Sequence, residues 1–175
     1  MALVIRSEAL GSADARRLIG ALDAYLLGLY PVEENFLDLD EAEVAAGRGD
    51  FLVARVDGRA VACGAIRMLS DTTAELKRMY VDPLSRGRGH GRAMLAALER
   101  SAARLGAERM VLETGNLQVE ALALYRSAGY AVIPCFGEYA ASGSSACFEK
   151  SLVPERDVRK TAPWVTDPPP GAAVS

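Results

Sequence analysis

The sequence predicts a mixed α/β domain, and three features point to it. A hairpin-connected group of strands comes first, strands and helices alternate after it, and a glycine-rich loop joins one strand to a long helix. The hairpin is the sharpest of the three. An apolar run over 51–56 leads into Asp57-Gly58, and a second run over 60–68 follows. Asp-Gly between two such runs suits a tight turn whose central residues take positive φ.

Taken in order, residues 3–6 are a short β-branched run that reads as a first strand. Ser12 and Asp14 are placed to cap a helix in which Leu18, Leu22, Tyr25, Leu26 and Leu29 form one apolar stripe, ended by Pro31. The acidic stretch 33–43 reads as a loop with a short second helix. After the hairpin, 74–81 forms a further strand. Strict alternation places Glu75, Lys77, Met79 and Val81 on one face and Leu76, Arg78 and Tyr80 on the other. Asp82-Pro83 ends that strand. The glycine loop then opens a helix with Met94, Leu95, Leu98 and Leu105 on its apolar side, stopped by Gly106. A strand over 109–113, a helix over 120–127, a strand from Gly129-Tyr130 and a last strand over 146–152 complete the pattern. One domain is expected over 1–152. From Val153 the composition shifts, and Asp167-Pro168-Pro169-Pro170-Gly171 marks a polyproline-like tail over 153–175, expected to be mobile.

Composition excludes several function classes. The 175 residues suffice for one domain with a real core. The net charge of -3 supplies no global field toward nucleic acid or an anionic membrane, so neither is expected as a partner. No apolar segment approaches the roughly 20 residues needed to span a bilayer. Residues 1–6 lack a signal peptide's basic region and long apolar run, and a cytoplasmic location is expected. His90 is the only histidine, which excludes a zinc site built on several imidazoles; no metal is expected. Cys63, Cys135 and Cys147 are an odd number without CxxC spacing, each beside apolar or small residues. They read as buried reduced thiols.

The chemistry concentrates in Arg86-Gly87-Arg88-Gly89-His90-Gly91. A diphosphate needs several backbone N–H donors aimed at one place, together with positive charge. The first turn of a helix supplies both, because its N–H groups lack intrahelical partners and the macrodipole is positive there. Gly87, Gly89 and Gly91 have no Cβ to hold the phosphate oxygens away. Arg86, Arg88 and Arg92 add charge at the same point. A Walker loop is absent, since its glycine spacing and Lys-Ser/Thr are both missing. The dinucleotide fingerprint also fails: it needs glycine or alanine where Arg92 stands, and it belongs on the first strand of a βαβ unit.

The loop resembles the Q/R-x-x-G-x-G/A signature of the GNAT superfamily of acetyl-CoA-dependent N-acetyltransferases. Ala121-x-x-Leu124-Tyr125-x-x-x-Gly129-Tyr130 is similar to the family's second block, A-x-x-L-Y-x-x-x-G-F. The resemblance covers about residues 51–152 directly and the N-terminal part by pattern. Leu29-Tyr30-Pro31-x-Glu33, the segment 75–81 and Phe136-Gly137-Glu138-Tyr139 also look like a bacterial subgroup of that family. One departure stands out: the family's asparagine three residues before the alanine is Gln118 here, with Asn116 two residues earlier.

The resemblance implies a mostly antiparallel central sheet of about six to seven strands flanked by about four helices, splayed at the CoA-binding strand. It implies acetyl-CoA as co-substrate, held by Met79, Tyr80, Val81, the loop residues 86–92, Asn116, Gln118 and Ala121, with a main-chain N–H polarising the acetyl carbonyl. The acceptor amine then attacks directly, leaving two side-chain tasks. Glu75, eleven residues ahead of Arg86, is the candidate base, where some family members carry a catalytic glutamate. The alternative is an ion pair with Lys77 or Arg67. Tyr125 is the candidate acid toward the CoA sulfur, and His90 a loop residue near phosphate. Tyr30, Glu33, Arg67, Lys77 and Tyr139 are candidate acceptor-binding residues. The acidic segment suits an amine, the cluster Arg67, Lys77 and Arg78 a carboxylate-bearing acceptor, and the sequence leaves both open. A small-molecule amine is the expected acceptor, with a protein amine, or a catalytically silent acetyl-CoA-binding module, as alternatives. A homodimer is the assembly the family suggests.

Overall fold

The computed structural model describes residues 2–154, so nearly all of the Pro-rich tail lies outside the described residues. Seven strands form one sheet: β1 (Leu3–Ser7), β2 (Gly49–Val56), β3 (Arg59–Met68), β4 (Thr73–Val81), β5 (Arg109–Gly115), β6 (Ala131–Ile133) and β7 (Ser145–Ser151). The strand order is β1-β2-β3-β4-β5-β7-β6. Every pairing is antiparallel except β4 with β5, which is parallel. Three helices pack on the sheet: α1 (Ala13–Leu29), α2 (His90–Arg104) and α3 (Val119–Ser127). The expected second helix of the acidic stretch is a single 3-10 turn, Val32–Glu34, so among the described residues three helices stand where about four were expected. Pro31 and the run of short acidic residues leave no apolar stripe for a longer helix.

Local signals are met as written. Ser12 caps α1, its Oγ accepting from the Ala15 N–H at 3.1 Å. Asp57 and Gly58 take φ of 48° and 82°, closing the β2–β3 hairpin. Gly106, at φ 99°, lies just beyond α2. The helices cover both faces. On one, Ala15, Leu18 and Leu22 of α1 meet Phe51, Val53, Cys63, Ala65 and Tyr80. On the other, Met94, Leu95 and Leu98 of α2 and Tyr125 of α3 meet Leu52, Ile66, Leu76, Leu112 and Phe148. Among the described residues no helix is long and apolar enough to cross a membrane.

Two expectations are corrected. Strict alternation along β4 fails at Arg78, whose φ is 56°. The register jumps from Cys63↔Tyr80 to Ala65↔Lys77, leaving Gly64 opposite both Arg78 and Met79. This β-bulge reverses the faces beyond it. Glu75 and Lys77 therefore lie on the α1 side, while Met79 and Val81 turn toward α2 and α3. Cys135 and Cys147 are joined in a disulfide, with Cα atoms 5.1 Å apart, and only Cys63 is a free buried thiol. The pairing arises because β6 returns antiparallel to β7, with Ile133 opposite Cys147. No spacing rule in the sequence carries that contact.

Candidate active site

The site begins where the sheet opens. β4 and β5 pair only from Thr73↔Arg109 to Leu76↔Leu112, yet β4 continues to Val81 and β5 to Gly115. The bulge at Arg78 turns β4 away, and a cleft of about 200 Å³ forms in the wedge. Met79, Tyr80 and Val81 form its strand wall, Gln118, Ala121, Leu124 and Tyr125 its α3 wall, and Arg86, Gly87, Gly89, His90 and Gly91 its mouth.

The mouth is built by the loop. Asp82 accepts the Leu84 N–H at 3.0 Å and starts the turn Pro83–Ser85. Gly87 and Gly89 then take φ of 72° and 79°, and Gly89 is the N-cap of α2 without any side chain over its first N–H groups. Those groups face the mouth unobstructed, as anion binding requires. Arg86 spans the opening: its Nε donates to the Val81 carbonyl at 3.1 Å, its Nη1 reaches Glu120 at 3.3 Å, and its guanidinium lies 5.8 Å from the Tyr25 ring centre. Arg88 is exposed and does not line the cleft; Arg92 is turned to Ser127 Oγ at 2.8 Å. Asn116 is exposed beyond β5, its N–H bonded to the Ser144 carbonyl, and also lies outside the lining.

At the inner end Tyr125 is buried, its hydroxyl 3.9 Å from the Met79 sulfur. Burial, and then the nearby Glu113, push its phenol pKa up, so it stays protonated. Behind Tyr125 and Met79 lies a second cavity of about 80 Å³, sharing Leu22, Met79, Gln118, Ala121 and Tyr125 with the first. Lys77, Arg78, Glu113, Phe36 and Tyr139 enclose it. Sequence reasoning missed Glu113. It is half-buried on β5, and its Oε1 accepts from Ser145 Oγ at 2.6 Å. Burial pushes its carboxyl pKa up, opposed by Ser145 and Lys77. A lone carboxylate following Met110-Val111-Leu112 on an apolar strand was the available signal.

Glu75 is 1% exposed and does not line either cavity. Its oxygens take Arg67 Nε at 2.7 Å and Tyr139 Oη at 2.5 Å. Arg67 also pairs with Glu43. Tyr139, its phenol pKa raised by burial and by Glu75, forms one wall of the second cavity. Tyr30 is buried beside a third cavity of about 40 Å³ that also touches Glu113 and Gln118. Its hydroxyl accepts the Leu117 N–H at 2.9 Å, which fixes the turn after β5. Glu33 is exposed and lines none of these spaces.

A sheet opened at β4 and β5, with a glycine loop capping a helix at its mouth, is the architecture of the acetyltransferase (GNAT) family, and the chain belongs to that family: its sequence model matches residues 16–130. The chain is 43% identical over 139 residues to a protein of Azospirillum brasilense named IAA acetyltransferase, covering 78% of this chain and 89% of that one. A proposed acyl-CoA N-acyltransferase of Klebsiella pneumoniae, solved by crystallography, shares the fold with a TM-score of 0.74. It is 34% identical, over 86% of this chain and 98% of its own. The PaiA N-acetyltransferase of Thermoplasma acidophilum, solved in complex with coenzyme A, has the same fold at a TM-score of 0.66 and 19% identity, over 86% and 99% of the two chains.

Proposed function

We propose that this protein transfers an acetyl group from acetyl-CoA to a primary amine of a small-molecule acceptor, by direct attack within a ternary complex. The observation that carries the reading is the adjacency of two spaces along the unpaired part of β4: the cleft at the glycine loop and the cavity lined by Glu113, which share Met79 and Tyr125 as wall residues. The coenzyme A complex of the Thermoplasma relative and the name of the Azospirillum relative support the donor and the transferred group.

Acetyl-CoA supplies the activated acyl group. The unobstructed N–H groups at the start of α2, with Arg86, bind its diphosphate; main-chain groups of Met79 and Val81 hold the pantetheine arm in the gap left by β5. Glu113 removes a proton from the ammonium of the acceptor, in preference to Glu75, whose two oxygens are already engaged. The freed nitrogen bonds to the acyl carbon as the carbon–sulfur bond breaks; the amide then sheds its surplus proton to water, and the phenolate that protonation of the sulfur leaves at Tyr125 is reprotonated from water. Tyr125 gives its hydroxyl proton to the departing sulfur; its only partner among the described residues is a thioether, a weak acceptor that leaves the proton available. Glu75 serves as the anchor for Arg67 and for Tyr139, of which Tyr139 walls the second cavity.

Free-CoA release measured across a panel of small amines tests this reading. Amine-dependent release, with N-acetylated product identified by mass, supports it. Binding of acetyl-CoA without turnover on any amine would instead indicate a silent binding module.

A further inference from the structure

Lys77 is 6% exposed, and its Nζ has no hydrogen-bond partner among the described residues. It lines the second cavity. Its nearest carboxylate, Glu138, stands 3.5 Å away on a side chain that is 44% exposed. The Tyr139 ring centre is 6.0 Å off. The neighbouring cations are already taken: Arg78 by Asp23, and Arg67 by Glu43 and Glu75. Three ammonium donors in a buried position are costly to leave unsatisfied, so a group that fills them gains a charge-assisted bond.

Position makes the group specific. Leu76↔Leu112 is the last pair joining β4 to β5, so Lys77 and Glu113 are the next residues on the two parting strands. Both line one cavity, directly behind Tyr125 and Met79. A cation and a carboxylate lining one cavity of about 80 Å³ match a small ligand that carries a carboxylate and an ammonium of its own.

Resting on the acetyl-transfer reading above, we propose that the acceptor is an α-amino acid, its carboxylate on Lys77 and its nitrogen toward Glu113. The apolar walls, Leu22, Leu26, Phe36 and Leu76, favour a small or aliphatic side chain. Glu138 yields its contact with Lys77 and turns to solvent when the carboxylate arrives.

The test compares three forms of one acceptor: alanine and leucine, their amides, and the matching amines ethylamine and 3-methylbutylamine. Wild-type protein is expected to favour the amino acids in kcat/KM by roughly 10- to 100-fold, the size of one charge-assisted hydrogen bond. Lys77→Met, which keeps the length of an apolar stem, is expected to erase that preference while acetyl-CoA affinity stays unchanged by calorimetry. Equal use of amide and acid, or a preference that survives Lys77→Met, overturns the proposal. Binding of alanine and leucine to acetyl-CoA-loaded protein is measured in parallel. If no amine is acetylated yet the amino acids bind and Lys77→Met abolishes that binding, the acetyl-transfer reading fails and the carboxylate site stands. If neither amino acid binds or reacts while the simple amines are acetylated, the carboxylate site fails and acetyl transfer stands.

Discussion

Glu113 and Glu75 are two carboxylates on neighbouring strands with opposite surroundings, and the proposed division of work between them rests on that contrast. Glu75 is tied by Arg67 and Tyr139, whereas Glu113 has one hydroxyl partner and faces a cavity. Glu113→Gln is expected to lower kcat/KM about 100-fold or more while leaving acetyl-CoA affinity intact, as steady-state kinetics and calorimetry would show. Because burial raises the Glu113 pKa, the acidic limb of the wild-type rate profile should lie above the usual carboxylate range and vanish in the variant. A carboxyl whose folded pKa is raised contributes most below its unfolded value and loses that contribution as pH rises through the folded one. Glu113→Gln should therefore melt higher than wild type at about pH 8, with the gap closing toward about pH 4. Tyr125→Phe should cost on the order of 100-fold in kcat with little change in acceptor KM. At this scale the sequence was a partial guide. The place of Tyr125 on the cleft wall was legible because it stands inside a spaced motif. Glu113 was not, because a carboxylate's role depends on which strand faces it across a gap.

The glycine loop was the most legible element, since glycine spacing, arginines and a following amphipathic helix all lie within one short stretch of chain. Its proposed diphosphate role depends on Gly89 at φ 79°. Gly89→Val should strain that turn by about 1–2 kcal/mol and turn a branched Cβ toward the mouth, so acetyl-CoA affinity is lost while circular dichroism stays folded. Unchanged affinity by calorimetry would contradict the diphosphate assignment. The bulge in β4 was illegible, because Gly64 and Arg78 announce nothing until their strands are paired. Its effect is large: it opens the sheet and sends Lys77 and Met79 to different faces. Gly115 holds the far side of the opening. A Cβ there would run into the Tyr30 hydroxyl, so Gly115→Ala should displace Tyr30 and lower both thermal stability and acceptor affinity.

Across the whole molecule, alternation of strands and helices correctly indicated a mixed sheet, while strand order and the single parallel pair needed the folded chain. The Cys135–Cys147 disulfide closes the segment that carries Tyr139 to the second cavity, the proposed acceptor site. Its reduction should destabilise the protein by about 2–4 kcal/mol and raise acceptor KM more than acetyl-CoA KM, as melting curves and kinetics with and without a thiol would reveal. The cleft at the glycine loop and the cavity lined by Lys77 and Glu113 adjoin at Met79 and Tyr125, and the proposed acetyl transfer rests on that adjacency. The most direct test is acetyl-CoA turnover with small amines, comparing wild type with Glu113→Gln and Glu75→Gln. Acetylated product from wild type, loss of the acidic limb only in Glu113→Gln, and an ionisable limb retained in Glu75→Gln are expected. Turnover and pH profile unchanged in Glu113→Gln, or no acetylation of any amine by protein that binds acetyl-CoA, would contradict it.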